Sequence, residues 1–172
     1  MIRPAAASDV PAMLAVYSPY VTDTAVTFEY EAPTLEEFSA KFARISADYP
    51  WLVLEEEGRI LGYAYASRMF EKAAYAWCAE LTVYLAREAA GQGRGRELYL
   101  ALERELRDMG VRVLYGLVTA SNVPSLRFNA AMGFRQVGLL AASGWKFGVW
   151  HDVVWLEKRL SDEPPGLPPR CR

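Results

Sequence analysis

The chain has 172 residues, of which 52% are hydrophobic and 23% are charged. This length suits one domain of ordinary size, and no stretch approaches the roughly 18 uninterrupted apolar residues of a membrane-spanning helix. The 19 basic and 21 acidic residues give a net charge of −2 without a basic stripe, so we expect neither a membrane nor a nucleic acid as partner. The N-terminal sequence lacks the pattern of a secretory signal, which predicts a cytoplasmic protein.

The chain begins with a short predicted strand, MIRPA, and two predicted helices. Ser8 is the predicted N-cap of a helix over residues 9–18, and Pro19 is expected to end it. Thr34 and Glu37 have the spacing of a capping box, which predicts the start of a second helix. Apolar residues recur at helical spacing in both segments, so each helix has one face to bury.

The hydrophobic period then changes from that of a helix to that of strands. The segment WLVLEEEGRILGYAYASR predicts two strands joined near Glu57 and Gly58, and AYAWCAELTVYL predicts a third. Because the connections are short, these three strands are expected to form an antiparallel meander.

The second half alternates helices and strands. A helix with leucines at every fourth position ends at Gly110, and the strand VRVLYGLV follows it. Residues 122–132 predict another helix, with its N-cap at Asn122, and two final strands are expected around 134–141 and 151–159. The predicted order is therefore β-α-α-β-β-β-α-β-α-β-β.

The chain divides into a predicted domain over residues 1–160 and a predicted disordered tail over residues 161–172, which contains four prolines and few apolar residues. Its two cysteines, Cys78 and Cys171, have neither metal-ligand spacing nor the pattern of a disulfide framework. With a single histidine as well, no metal site of the Cys/His type is expected.

Three glycines in five positions, Gly91, Gly93 and Gly95, stand between a predicted strand and a predicted helix. Such a turn leaves backbone N–H groups free at the positive end of the helix dipole, which predicts an anion site. The sequence excludes a Walker A loop, which requires a lysine after its last glycine, because no lysine lies between Lys72 and Lys146. The spacing also does not match the Gly-x-Gly-x-x-Gly dinucleotide fingerprint. The remaining candidate is the pyrophosphate loop of an acetyl-CoA enzyme.

Three blocks of sequence and the N-terminal half, in order, resemble the GNAT N-acetyltransferase superfamily. The three blocks are AELTVYLAREAAGQGRGRELYLAL, ASNVPSLRFNAAMGF and GWKFGVWHDVVWLEKRL. The N-terminal segments IRPAAASDVPAML and AVTFEYEAPTLEEF are similar to its phosphinothricin and methionine-sulfoximine acetyltransferases. The resemblance covers residues 2–160. It implies an α+β, three-layer fold with a mixed central sheet of about seven strands and helices on both faces, and it implies a homodimer.

The resemblance implies that acetyl-CoA binds in a V-shaped gap beside the strand that ends near Leu85. Backbone groups of Val83, Tyr84 and Leu85 are expected to contact the pantetheine arm. Ala90 stands where the family motif usually has arginine or glutamine, but backbone amides survive that change. The other residues expected to bind the cofactor are Gly91, Gln92, Gly93, Arg94, Gly95, Arg96, Asn122 and Ser125.

Amide formation requires an amine that has lost its proton, so the reaction needs a base. Glu80 is the candidate, because it interrupts an apolar strand where a half-buried carboxylate can have a raised pKa. The N–H of Val83 is expected to stabilise the developing oxyanion. Asn129 occupies the position where relatives have a tyrosine or histidine, and it either hydrogen-bonds the cofactor sulfur or leaves the proton to water or another tyrosine.

The resemblance also implies a small amino-acid-like acceptor, with Arg68 pairing with its carboxylate. Two alternatives stay open: a catalytically silent acyl-CoA-binding module, suggested by Ala90 and Asn129, and an enzyme that acetylates a protein or peptide amine. The expected acceptor-binding residues are Phe28, Tyr30, Arg68, Phe70, Glu71, Lys72, Tyr75, Glu80, Leu81 and Thr82.

Overall fold

The structure is a computed structural model that describes residues 1–169. Its seven strands are β1 (Ile2–Pro4), β2 (Trp51–Glu56), β3 (Arg59–Arg68), β4 (Cys78–Leu85), β5 (Val113–Thr119), β6 (Arg135–Lys146) and β7 (Val149–Arg159). Its four α-helices are α1 (Val10–Asp23), α2 (Leu35–Ser46), α3 (Arg94–Met109) and α4 (Val123–Ala131). The predicted order of strands and helices is confirmed.

All seven strands form one mixed sheet in the order β1-β2-β3-β4-β5-β7-β6. The predicted meander is confirmed, because β2, β3 and β4 pair antiparallel in sequence order. Strands β4 and β5 are the parallel pair, and α3 makes the crossover between them. This arrangement confirms the predicted α+β fold with a mixed seven-stranded sheet.

Helices cover both faces of the sheet at its centre. In β3, consecutive residues from Gly62 to Ala66 are buried, as expected when both faces are packed. The ring of Phe38 on α2 packs against Trp51 and Tyr63 on one face. On α3, the predicted leucine stripe is fully buried, and Gly110 ends the helix in the left-handed conformation. The core therefore lies on both sides of β2, β3 and β4.

The predicted start of α1 is one residue early, and its predicted end is five residues early. A short 3-10 turn over Ala7–Asp9 places the N-cap at Asp9, whose carboxylate accepts the Ala6 amide at 2.8 Å. Pro19 lies inside the helix, which continues to Asp23. Fully buried Val21 explains the continuation, because tertiary packing of the last turn outweighs the hydrogen bond that proline removes.

The capping box at the start of α2 is confirmed. The Glu37 amide donates to Thr34 Oγ1 at 3.2 Å, and the Glu37 carboxylate accepts the Thr34 amide at 2.7 Å. Asn122 is confirmed as the N-cap of α4, where its side chain accepts the Ser125 amide. Local side-chain chemistry alone is enough to set these two helix starts.

The last two strands are longer than predicted. Strand β6 continues to Lys146 and pairs with β7 across a tight turn at Phe147 and Gly148, which have φ angles of 52° and 75°. An irregularity in the pairing between Leu140 and Gly144 interrupts the period-two pattern. That break hid the second half of β6 from the sequence pattern.

Residues 161–169 contain neither helix nor strand, and the rest of the predicted tail, including Cys171, lies outside the described residues. The division into a domain over 1–160 and a tail stays a prediction. Across residues 1–169, every helix is too short or too polar to cross a membrane.

Candidate active site

The parallel strands β4 and β5 pair over only three residues and then separate. Pairing joins Cys78, Ala79 and Glu80 to β5, and it ends there, although β4 continues to Leu85 and β5 to Thr119. The separation leaves one edge of β4 facing a gap instead of a neighbouring strand. Unpaired backbone groups at such an edge can hydrogen-bond an extended ligand.

This gap contains a cavity of about 570 Å³. The glycine turn and α4 line one end of it, and α1, α2 and the segment after α1 line the other. Its walls are formed by Tyr17, Tyr20, Val26, Thr27, Glu29, Lys41, Tyr65, Glu80, Leu81, Thr82, Val83, Tyr84, Leu85, Ala90, Gly91, Gly95, Gly116, Leu117, Val118, Asn122, Pro124, Ser125, Phe128 and Asn129. Most of the residues predicted to bind the cofactor thus share one cavity with Glu80.

The glycine turn has the left-handed backbone that the sequence suggested. Gly91 and Gly93 have φ angles of 77° and 80°, and an added Cβ at either position would have no atom within 4 Å. At these positions the backbone angle, not crowding, requires glycine. Gly95 is different, because an added Cβ would lie 3.3 Å from a methyl group of Leu85 and 3.6 Å from the Phe128 ring.

The N-terminus of α3 follows the turn, with Gly93 as its N-cap. The Arg96 amide already donates to the Gly93 carbonyl at 3.0 Å, so the anion-binding amides are those before it. The open turn and the positive end of the helix dipole together form a site suited to a phosphate group.

The charged side chains of the turn have different surroundings. Arg94 forms an ion pair with Glu56 and lies 3.8 Å from the Glu97 carboxylate, so its guanidinium is held at the surface by acidic residues. Gln92 donates to the Glu88 carbonyl at 2.8 Å. Arg96 is exposed and has no ion pair within the described part of the chain. Of the two arginines, Arg96 is therefore the one available to an anion.

The opposite wall is formed by α4, from its N-cap Asn122 to Asn129. The side chain of Asn129 donates to the Ser125 carbonyl at 2.9 Å and to its hydroxyl at 3.3 Å. The Asn129 Oδ1 atom would lie 3.9 Å from a Cβ added at Gly116, so the side-chain oxygen is directed toward β5. The amide nitrogen is thus already used inside the helix, which leaves Asn129 poorly placed to donate to a sulfur atom.

Glu80 lies at the point where the two strands separate and is half-buried. Burial raises the pKa of its carboxyl group, and the positive charge of Lys41 partly offsets that effect. Thr82 and Tyr84 point to the same face of β4 because side chains alternate along a strand. Glu80 therefore has the position and the raised pKa that a general base requires.

Tyrosines close the cavity on the side of α1. The Tyr20 hydroxyl donates to the Leu85 carbonyl at 2.6 Å, so one acceptor at the β4 edge already has a partner. Tyr17 Oη lies 2.9 Å from Thr27 Oγ1, and the rings of Tyr17 and Tyr84 make an edge contact at 4.9 Å. Burial raises the pKa of all three hydroxyl groups, so they remain neutral at physiological pH.

The structure places only three of the ten predicted acceptor residues in this cavity, namely Glu80, Leu81 and Thr82. Arg68 and Glu71 line a neighbouring surface depression, which shares Lys41 and Tyr65 with the cavity. There Arg68 Nη1 donates to the Glu71 carbonyl at 3.5 Å. Arg68 is exposed, as a charged residue at the end of a strand usually is, and its predicted contact with the acceptor has no support in this geometry.

The aromatic residues predicted for the acceptor pocket pack elsewhere. Phe28 lies against Gly144, where its ring would be 2.2 Å from an added Cβ. Tyr30 is exposed and donates to the Trp145 carbonyl at 2.7 Å. Phe70 packs against Tyr75, Tyr115 and Trp155, and Lys72 precedes a 3-10 turn at the surface. Phe28 and Tyr30 instead attach the segment after α1 to β6.

Five residues that line the cavity were not predicted from the sequence, namely Lys41, Tyr17, Tyr20, Glu29 and Tyr65. Only Lys41 had a signal in the sequence. It interrupts the apolar stripe of α2, three residues after Phe38 and four before Ile45, just as Glu80 interrupts its strand. The others come from segments whose meeting depends on the tertiary fold.

Comparison with known proteins decides the family. The profile of the acetyltransferase (GNAT) domain matches residues 2–155. The chain belongs to this family. The prediction from the sequence blocks is thereby confirmed, and so is its consequence that the protein is an acetyltransferase.

Individual relatives cover nearly the whole chain. A phosphinothricin N-acetyltransferase of Streptomyces viridochromogenes is 34% identical and aligns with 98% of this chain and 92% of its own. An L-methionine sulfoximine/L-methionine sulfone acetyltransferase of Pseudomonas paraeruginosa is 32% identical, over 92% and 94% of the two chains. The crystal structure of a GNAT phosphinothricin acetyltransferase from Sinorhizobium meliloti, in complex with acetyl-CoA, is similar with a TM-score of 0.92, 30% identity and coverage of 96% and 92%.

Proposed function

We propose that this GNAT acetyltransferase moves an acetyl group from acetyl-CoA to the α-amine of a small amino acid or analogue, such as phosphinothricin, methionine sulfoximine or methionine sulfone. The observation that carries the proposal is the single cavity that joins the glycine turn to Glu80. Relatives of about one-third identity are named for this reaction on these compounds.

The residues of the gap fit acetyl-CoA. Gly91 and Gly93 leave the turn without side chains, and the N-terminus of α3 attracts the diphosphate. The edge of β4 that faces the gap, from Val83 to Leu85, suits the amide groups of a pantetheine arm, with the Leu85 carbonyl already accepting the Tyr20 hydroxyl. When bound, acetyl-CoA supplies a thioester carbonyl, which an amine can attack directly without an acyl-enzyme.

The chain's own residues then have separate roles. Glu80 takes the proton from the acceptor ammonium, directly or through a water molecule, because its raised pKa brings it closer to that of the amine. The Val83 N–H stabilises negative charge on the carbonyl oxygen. The side-chain amide of Asn129 donates to Ser125, so Asn129 helps to hold the α4 wall in place. Because this amide is not free to donate a proton, solvent protonates the leaving thiolate.

Thiol release tests the proposal. Purified protein is assayed with acetyl-CoA against the 20 amino acids, the three analogues and a set of peptides with free N-termini. Release of CoA with a free amino acid or analogue is the expected result. Binding of acetyl-CoA without release of thiol would support the alternative of a catalytically silent acyl-CoA-binding module. Activity restricted to peptides would support an enzyme that acetylates a protein or peptide amine.

We also infer a cytoplasmic homodimer. Large apolar side chains are exposed on the β6–β7 hairpin, including Leu139, Phe147 and Trp150, at 52%, 60% and 62%. An exposed apolar patch of this kind is typical of an interface between protein chains. The cytoplasm is the proposed location because it supplies acetyl-CoA.

A further inference from the structure

Lys41 is a cation at the end of the cavity that is lined by α1, α2 and the segment after α1. We call this the acceptor end, because the acceptor is proposed to bind there beside Glu80. It lies on the buried side of α2 and is half-buried, next to the fully buried Phe38. Its ammonium lies 5.5 Å from the ring centre of Tyr17 and 5.6 Å from that of Tyr65. Aromatic faces hold a cation in place without neutralising its charge. The charge of Lys41 therefore remains available to a ligand.

Lys41 has no ion pair with a carboxylate among residues 1–169. The half-buried Lys158, by contrast, is paired with Glu103 at 2.5 Å. The charge of Lys41 lowers the pKa of Glu80, but the Lys41 ammonium forms no direct ion pair with that carboxylate. The missing partner of Lys41 is thus expected to come with the ligand.

The other charged groups at this end are carboxylates. Glu80 lines the same cavity, and so does Glu29 from the segment after α1. An α-amino acid carries an ammonium and a carboxylate on one carbon atom, which matches a wall with acidic groups and one cation. The N-terminus of a peptide has the ammonium, but an uncharged amide stands in place of the carboxylate.

We propose that Lys41 binds the carboxylate of the acceptor and thereby selects free α-amino acids and their analogues over peptide and protein amines. This inference rests on the proposed acetyl transfer. It gives to Lys41 the part that was predicted for Arg68: both side chains line a surface depression beside α2, but only Lys41 also lines the cavity that contains Glu80. Lysine binds as a compact charge, so the site accepts a carboxylate without requiring bidentate geometry.

The first test compares Lys41→Met with Arg44→Met. Both substitutions remove one positive charge from α2, but Arg44 is exposed and lies outside the cavity. In Lys41→Met we expect the KM of the amino acid to rise by about tenfold to a hundredfold, since a charge-assisted hydrogen bond is lost. The KM of acetyl-CoA is expected to stay the same, and Lys41→Arg should restore most of the affinity for the acceptor.

The second test measures the selectivity itself. Wild-type protein is expected to prefer an amino acid to its carboxamide in kcat/KM, and Lys41→Met is expected to lose that preference. An unchanged preference in Lys41→Met, or the same change in Arg44→Met, would overturn the role of Lys41. Preference of the wild type for the carboxamide or for a peptide would overturn it as well.

A binding measurement separates this inference from the proposed function. In this experiment, isothermal titration calorimetry measures the dissociation constant of the best acceptor from the panel, or of methionine sulfoximine if none reacts. The protein is saturated with CoA, which carries no acetyl group, so binding is measured without transfer. Weaker binding to Lys41→Met than to Arg44→Met supports the role of Lys41 even if the thiol assay is negative. Equal binding to both variants, or no binding to the wild type, overturns it.

Discussion

The ammonium group of Lys146, which is 1% exposed, donates a hydrogen bond to the carbonyl oxygen of Thr27 at 2.8 Å. It also donates to the carbonyl of Val21 in the last turn of α1 at 2.7 Å. Thr27 lines the cavity. A buried lysine on the edge strand β6 therefore connects the sheet to the end of α1 and to the segment that carries Thr27 and Glu29.

Lys146→Met is expected to lower the free energy of unfolding by about 1–3 kcal/mol, because two buried carbonyl groups lose their donor. Denaturant unfolding measures this change. The exposed Lys72→Met is the control and should be neutral. We also expect a higher KM for the acceptor in Lys146→Met, since the segment that carries Thr27 loses an attachment; an unchanged KM would show that this segment does not contribute to acceptor binding.

Glu80→Gln is expected to lower kcat by about a hundredfold to ten-thousandfold, the usual contribution of a general base. Steady-state kinetics measure the rate, and calorimetry with acetyl-CoA should give an unchanged dissociation constant. A rate near that of the wild type would remove Glu80 from the mechanism.

The same substitution has a consequence for stability. The raised pKa of Glu80 means that its stabilising contribution is complete below the pKa of the unfolded chain and is lost as the pH rises through the folded pKa. Above the folded pKa the buried carboxylate is charged and unfavourable, so there Glu80→Gln should have an equal or higher free energy of unfolding than the wild type. A clear loss of stability in Glu80→Gln would contradict this assignment.

The pH dependence of kcat/KM should report the Glu80 carboxyl group as its acidic limb. The charge of Lys41 lowers the pKa of Glu80, so Lys41→Met is expected to move this limb to higher pH. Arg44→Met should leave it in place. A limb that is insensitive to Lys41 would mean that another group controls the protonation of the acceptor.

Gly93→Ala is expected to weaken acetyl-CoA binding by about tenfold or more, because the shifted backbone misaligns amides that donate to the diphosphate. Gly58→Ala is a matched control, since Gly58 has a φ of 76° and also has no atom within 4 Å of an added Cβ. Both variants should lose about 1–2 kcal/mol of stability through backbone strain. Equal acetyl-CoA affinity in the two variants would show that the turn at Gly93 is only structural.

The proposed dimer predicts that Trp150→Glu yields a monomer, while the wild type elutes as a dimer. Light scattering coupled to size-exclusion chromatography gives the mass. Leu100→Glu, which adds the same charge at a partly exposed leucine on α3, should leave the mass unchanged. A monomeric wild type would contradict the proposal.

The sequence by itself determined the order of the strands and helices and the left-handed conformation of the glycine turn. The capping box at Thr34, the glycine turn and the order of strands all depend on interactions within a few residues, which a local pattern records. Glu80 was predicted as the general base for the same reason, because a carboxylate within an apolar strand can be recognised from the sequence without knowing which residues surround it.

Only the tertiary structure decided the acceptor end. Pro19 is a helix breaker in sequence terms, yet α1 passes through it because Val21 is buried and Lys146 binds the last turn. Lys41 interrupts the apolar stripe of α2 and Arg68 ends β3, but neither local pattern shows which of the two cations lies beside Glu80. The packing of α2 over the sheet places Lys41 at the cavity and leaves Arg68 at the surface, since contacts between distant segments decide which side chains share a pocket.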